Sequence, residues 1–186
     1  MNIAVFCSGR GTNLQAIIEA AAQGRISGKI RLVLADRKEA RALKLAEAAG
    51  IEAVFINPAD FSDRELFDKE CLKYLEKFSI DLVVLAGFMR ILSPAFVRAY
   101  EGRMLNIHPA LLPAFRGSRA IKEAWEYGVK VTGVTVHFVE DDYDSGPVIL
   151  QEAVKVEKED TLESLEEKIH KVEHKLYPKV IKDLLK

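Results

Sequence analysis

Three residues of this sequence have the types and placement for acyl-group chemistry: Asn106, His108 and Asp144. The first two lie in Arg103-Met-Leu-Asn-Ile-His-Pro-Ala-Leu-Leu-Pro-Ala-Phe-Arg-Gly117, which begins as a short apolar run suited to a buried strand. Side chains alternate faces along a strand, so Asn106 and His108 point the same way. Pro109 cannot donate to a sheet ladder, so the strand is predicted to end there with His108 at its carboxyl rim. In open α/β sheets that rim binds ligands. A carboxamide that can donate to a developing oxyanion, beside an imidazole that can carry a proton, suits acyl transfer. Asp144 follows in the Gly- and Pro-punctuated stretch Asp141-Asp-Tyr-Asp-Ser-Gly-Pro147. A carboxylate near the imidazole favours its charged form and can relay protons. Taken singly, each of the three fits a turn or a structural role better. Their convergence on one rim is what favours chemistry.

The elements that must position them read as alternating strands and helices. Ile3-Ala-Val-Phe-Cys7 is a wholly apolar run ended by Ser-Gly-Arg-Gly, so it reads as a buried parallel strand. Helical periodicity follows from Asn13. Further strands are expected at residues 30–35, 53–56 and 81–87, with helices at 39–49 and from Ser62 or Asp63 to Phe78. After Ser93-Pro94 comes a short helix, then the strand at 104–108 and a helix at 120–127. Residues 131–139 and 148–156 are two strands with no helix between, so the sheet turns mixed there. Asp160-Thr-Leu-Glu163 resembles a capping box for a terminal helix that Pro178 should kink or break. The fold class is therefore α/β: one Rossmann-like domain over 1–186, with a mostly parallel, partly mixed central sheet flanked by helices.

Ser8-Gly-Arg-Gly-Thr-Asn-Leu14 joins the first strand to the first helix, where glycines and free helix N–H groups favour a phosphate. A dinucleotide site is its rival, with Asp36 as a ribose carboxylate, but Leu14 stands where the third glycine belongs. A simple turn is the other reading. Phe88-Met-Arg-Ile-Leu92 follows the fourth strand at the same rim and suits a planar heteroaromatic ligand with polar edges; a loop packing its own hydrophobes is the alternative. His170-Lys-Val-Glu-His174 has the spacing of one zinc-peptidase group. A third ligand is hard to find, since Asp183 is the one donor after it, so no metal is expected. His137 reads as a structural neighbour rather than a second acid.

The totals exclude other classes. The chain has 186 residues, a formal net charge of −1, 49% hydrophobic and 30% charged residues, which fits a globular domain with a real core and no general nucleic-acid or membrane surface. Cys7 and Cys71 cannot make a disulfide framework and suit a reducing compartment. No leader-like segment or membrane-length apolar run is read, so a cytoplasmic protein is expected.

Asn106-Ile-His-Pro-Ala-Leu-Leu-Pro with Gly117, Val136-His-Phe-Val, Asp144-Ser-Gly-Pro-Val-Ile-Leu-Gln151, Leu85-Ala-Gly-Phe-Met-Arg-Ile-Leu92 and Glu173-His-Lys-Leu-Tyr-Pro178 together resemble the folate-dependent formyltransferase superfamily. The resemblance runs essentially from Met1 to the final helix and is nearest to the members that act on glycinamide ribonucleotide. It implies transfer of the formyl group of 10-formyltetrahydrofolate, as co-substrate, to the amine of that ribonucleotide, with Asn106, His108 and Asp144 catalytic. Gly11, Thr12 and Asn13 would take the phosphate, Glu173 the ribose with His170 beside it, and Gly87, Met89 and Pro109 would also approach the ribonucleotide. Arg64, Met89, Arg90, Ile91, Leu92, Glu140 and Asp141, together with Asn106 and Asp144, would meet the folate. Leu112-Pro113 looks like a cis-proline turn. Two departures stand out: Ser118-Arg119 replaces a segment that often carries a histidine, and His170 is not the expected residue at its position. The first half, to about residue 100, would hold the phosphoribosyl substrate, and the second half the folate and the catalytic groups. Small molecules are the expected partners, and the chain a monomer or weak homodimer. The rivals are a formyltetrahydrofolate deformylase, a transfer-RNA formyltransferase that would need a further domain, and a non-catalytic nucleotide-binding module.

Overall fold

The computed structural model describes residues 1–185. Seven strands, β1 (Asn2–Cys7), β2 (Lys29–Ala35), β3 (Glu52–Phe55), β4 (Leu82–Leu85), β5 (Met104–His108), β6 (Val131–Phe138) and β7 (Val148–Lys155), form one sheet in the order β3-β2-β1-β4-β5-β6-β7. The first five run parallel, whereas β6 is antiparallel to β5 and β7 to β6. This is the Rossmann-like, mostly parallel and partly mixed sheet that the alternation of strand and helix signals implies.

Helices cover both faces because the central strands are apolar on both. On β1, Ile3, Val5 and Cys7 face one way and join the core beneath α1 (Thr12–Ala22), α2 (Arg41–Ala48) and α6 (Leu162–Leu184), while α5 (Ala120–Tyr127) packs on α6. Ala4 and Phe6 face the other way, against α3 (Arg64–Lys77) and α4 (Pro94–Ala99). Phe6, Phe67 and Phe96 are wholly buried in that second layer. Burying each such phenyl ring rather than leaving it exposed to water contributes about 2–3 kcal/mol.

Several expectations need correction. The helix expected at 39–49 starts at Arg41, because Ala40 is extended (φ −61°, ψ 119°). The fourth strand is shorter than 81–87: the Asp81 carboxylate caps the Asn2 amide and Gly87 turns at φ +73°. The capping box on α6 is real but is built by Thr161 and Ser164, not by Asp160 and Glu163. Asp160 instead accepts from Ser164 Oγ, the Glu157 amide and Lys168. Pro178 does not break the helix, which continues to Leu184. Residues on both sides of it are pinned: Val180 and Ile181 are buried, and the Tyr177 hydroxyl lies 2.9 Å from the Leu85 carbonyl oxygen and 3.1 Å from that of Leu105. That anchoring outweighs the missing N–H of one turn.

Candidate active site

The chain runs from β1 to β2 on one side and later places β4 on the other, so the carboxyl ends of β1 and β4 lie side by side at a topological switch point. Two cavities meet there. One, of about 340 Å³, is lined by residues 88–92 and 140–144 together with Asn106, His108, Gly117 and His137. The other, of about 360 Å³, is lined by residues 8–13 with Arg37, His170 and Glu173. Gly87, Met89, Ile107 and Pro109 belong to both linings, so the cavities share the rim of β4 and β5 as a common wall.

Asn106 and His108 project from β5 toward the α3/α4 face, as alternation requires when Leu105 and Ile107 face the opposite core. Asp144 reaches them from the connection between β6 and β7. Gly146 permits this approach, since a Cβ there would collide with the Phe138 carbonyl oxygen. Asp144 Oδ2 lies 3.4 Å from His108 Nδ1 and accepts the Gly117 amide at 3.0 Å. Asp144 Oδ1 accepts from Asn106 Nδ2 at 3.3 Å. On the far side of the imidazole, Nε2 lies 2.7 Å from the Phe115 carbonyl oxygen. A ring with protons on both nitrogens satisfies both neighbours at once. Both residues that grip it, Asp144 (φ +49°) and Phe115 (φ +50°), hold left-handed backbone conformations. Such conformations cost a non-glycine residue about 1–2 kcal/mol and concentrate at working sites.

His137 packs directly against this group. Its Nδ1–H donates to the Phe138 carbonyl at 2.8 Å, and burial pushes its pKa down, which keeps the ring neutral. The lone pair on Nε2 therefore faces Asn106 Nδ2, 3.2 Å away, and accepts from it. Between them His137 and Asp144 fix which way the Asn106 amide faces. Sequence reasoning left His137 as a structural neighbour; its place opposite Asn106 in the β5–β6 register was readable only once that pairing was known.

Gly11 starts the second cavity. Its φ is +71°, and a Cβ on it would stand 3.0 Å from Ala42 Cα, so two independent constraints call for glycine. The first intrahelical bond of α1 runs from Gln15 N to Gly11 O, which leaves the Thr12, Asn13 and Leu14 amides ahead of it to meet an anion. The Asn13 side chain turns toward α6. Its Nδ2 donates to Glu173 Oε2 at 3.1 Å, and its buried Oδ1 has no partner. His170 Nδ1 lies 2.8 Å from the same Glu173 oxygen.

The heteroaromatic slot has apolar lips, since Met89 is 59% and Ile91 57% exposed beside the buried Leu92. Ser8 Oγ accepts the Met89 amide and Asp68 Oδ2 accepts the Ser93 amide, which fixes both ends of the segment. The Arg90 guanidinium lies over the Phe67 ring at 4.7 Å. Glu140, Asp141 and Asp144 line the same cavity. Arg64 is not brought to either cavity: it is exposed in the first turn of α3, where its charge acts on Asp68. Arg119 pairs with Glu123 on α5 at 3.3 Å. Leu112-Pro113 is cis. Among the described residues no group of three or more His, Cys, Asp or Glu is arranged to hold a metal ion. The sequence reading missed the Phe115 carbonyl, Arg10 and Arg37. A backbone carbonyl leaves no mark in residue type, and lone arginines in loops look like ordinary surface charge.

Comparison with known proteins places the chain in a family. Residues 1–181 match the Formyl transferase family. The phosphoribosylglycinamide formyltransferase of Bacillus subtilis is 40% identical over 98% of this chain and 93% of its own length. The trifunctional purine biosynthetic protein adenosine-3 of Homo sapiens is 49% identical over 95% of this chain, which spans only 17% of that longer protein. The crystal structure of phosphoribosylglycinamide formyltransferase from Bacillus halodurans superposes with a TM-score of 0.97 at 44% identity, covering 100% of this chain and 95% of that one. The chain belongs to the formyl transferase family, within its phosphoribosylglycinamide formyltransferase branch.

Proposed function

We propose that this chain transfers the formyl group of 10-formyltetrahydrofolate to the amine of glycinamide ribonucleotide, a step of purine biosynthesis. One observation carries the proposal: Asn106, His108 and Asp144 converge beside the wall shared by an apolar, polar-edged slot and an anion cradle. A donor in one cavity and a phosphorylated amine in the other would meet at that wall.

In the proposed reaction the amine attacks the formyl carbon, a C–N bond forms and the carbonyl π pair moves onto oxygen. The Asn106 amide and the protonated His108 stabilise that oxyanion. Of the two contacts on Asn106 Nδ2, the 3.3 Å bond to Asp144 is the longer and the one the substrate oxygen would replace. The tetrahedral intermediate then expels the folate nitrogen. Asp144 and His108 carry the proton from the attacking amine to that leaving nitrogen, giving tetrahydrofolate and the formamide. Met89, Arg90, Ile91, Leu92, Glu140 and Asp141 enclose the folate. The amides of Thr12 and Asn13 above Gly11 take the phosphate, with Glu173 and the unpartnered Asn13 Oδ1 available to ribose hydroxyls.

Folate turnover is measured with glycinamide ribonucleotide present, absent, or replaced by glycinamide. Turnover that requires the phosphorylated amine is the expected result. Equal formate release without amine would identify a hydrolase instead.

A further inference from the structure

We propose that His170 is a titratable arm of the anion cavity, one that holds a phosphate-bearing ligand as a hydrogen-bond donor when protonated and loses that grip as pH rises. The inference rests on the functional reading above only for where the phosphorylated substrate sits.

The geometry decides which proton moves. Nδ1 of His170 lies 2.8 Å from Glu173 Oε2, and Glu173 is buried. A carboxylate only accepts, so Nδ1 keeps its proton in both states of the ring. Titration therefore happens at Nε2. Below the transition Nε2–H is a donor on a cation, and above it a neutral acceptor that repels phosphate oxygens. The ring is partly exposed and lines the cavity with Arg10, Arg37 and the start of α1. A histidine on that wall makes it sensitive within the physiological range.

The charged groups around the ring come from α6 and from the loops before α1 and after β2. On α6, Glu173 and Glu166 raise its pKa, with the hydrogen bond to Glu173 largest, while burial and Arg10, from the loop before α1, oppose them. The net direction is up. Arg37, from the loop after β2, stands on the same cavity wall. His174, whose ring stacks on His170 with centroids 6.3 Å apart, is pushed down by burial despite Glu173 and, from α1, Glu19. Its Nε2 is buried without a partner. The two rings are therefore shifted in opposite directions.

The test is calorimetric binding of ribose 5-phosphate to the full chain at about pH 6 and about pH 8.5, with His170→Asn and His170→Lys as variants. Wild type should bind about tenfold or more tighter than His170→Asn at the lower pH, the scale of one charge-assisted hydrogen bond. That advantage should vanish at the higher pH, and His170→Lys should keep it throughout. The ligand's own ionisation cancels in the ratio to His170→Asn. Glu173→Gln should shift the loss to lower pH. A ratio that does not change with pH, or a lysine variant no better than asparagine when both melt like wild type, overturns the proposal. Sugar-phosphate binding needs no formyl transfer. Absent turnover with a pH-dependent ratio refutes only the assigned reaction, and turnover with a flat ratio refutes only the role of His170.

Discussion

Asp144 approaches His108 at 3.4 Å from a residue whose own backbone is left-handed. Charge and strain are thus combined at one position, and two substitutions separate them. Asparagine tolerates φ near +50° but carries no charge, whereas alanine loses both the charge and the tolerance. Asp144→Asn should melt close to wild type and lose at least about 100-fold in kcat. Asp144→Ala should lose as much activity and also about 1 kcal/mol of stability. Wild-type turnover in Asp144→Asn would remove the carboxylate from the mechanism.

Asn106→Ala removes the one neutral donor proposed to meet the oxyanion. A loss of about 100- to 1,000-fold in kcat with little change in KM is expected. Steady-state kinetics for both substrates test this, and unchanged turnover would refute the role.

Cys7 and Cys71 are buried, and burial pushes the Cys7 thiol up to about 12 and raises that of Cys71. Thiolate is the reactive form, so neither should react with a disulfide-exchange reagent in the native protein. Both should titrate at once in denaturant. Rapid modification of a native thiol would contradict this packing.

The Asp160 carboxyl is held down to about 2 by the hydrogen bond from Lys168, then by the Glu157 amide and the Ser164 hydroxyl. Its folded pKa is below the unfolded value, so its stabilisation is present above about pH 4 and fades as pH falls through about 2. Asp160→Asn should therefore melt below wild type near neutral pH, and the gap should narrow on acidification. A gap that widens in acid would reverse the assigned sign.

How much of this was legible in the sequence depended on what kind of signal each feature leaves. β5 could be read to the residue because Pro109 stops it and an Asn-x-His alternation marks its face. The glycine-rich turn after β1 was legible too, and the conformation of Gly11 and its approach to Ala42 explain the glycine. Three features were not. The Phe115 carbonyl is backbone, and backbone chemistry is the same for every residue. The pairing of His137 with Asn106 needs the β5–β6 register, which local pattern does not supply. The continuity of α6 through Pro178 depends on tertiary anchors that override a strong local preference.

One of those anchors bears on how the protein is made. The Tyr177 hydroxyl bridges carbonyls 92 and 72 residues earlier in the chain, on β4 and β5. During synthesis the first strands can pair early, but the seam between β4 and β5 lacks this clasp until residue 177 has left the ribosome. Contacts so distant in sequence slow folding and keep intermediates exposed. The strand that carries Asn106 and His108 therefore gains its full rigidity late, and hydrogen exchange should report α6 and the β4–β5 seam opening as one cooperative unit.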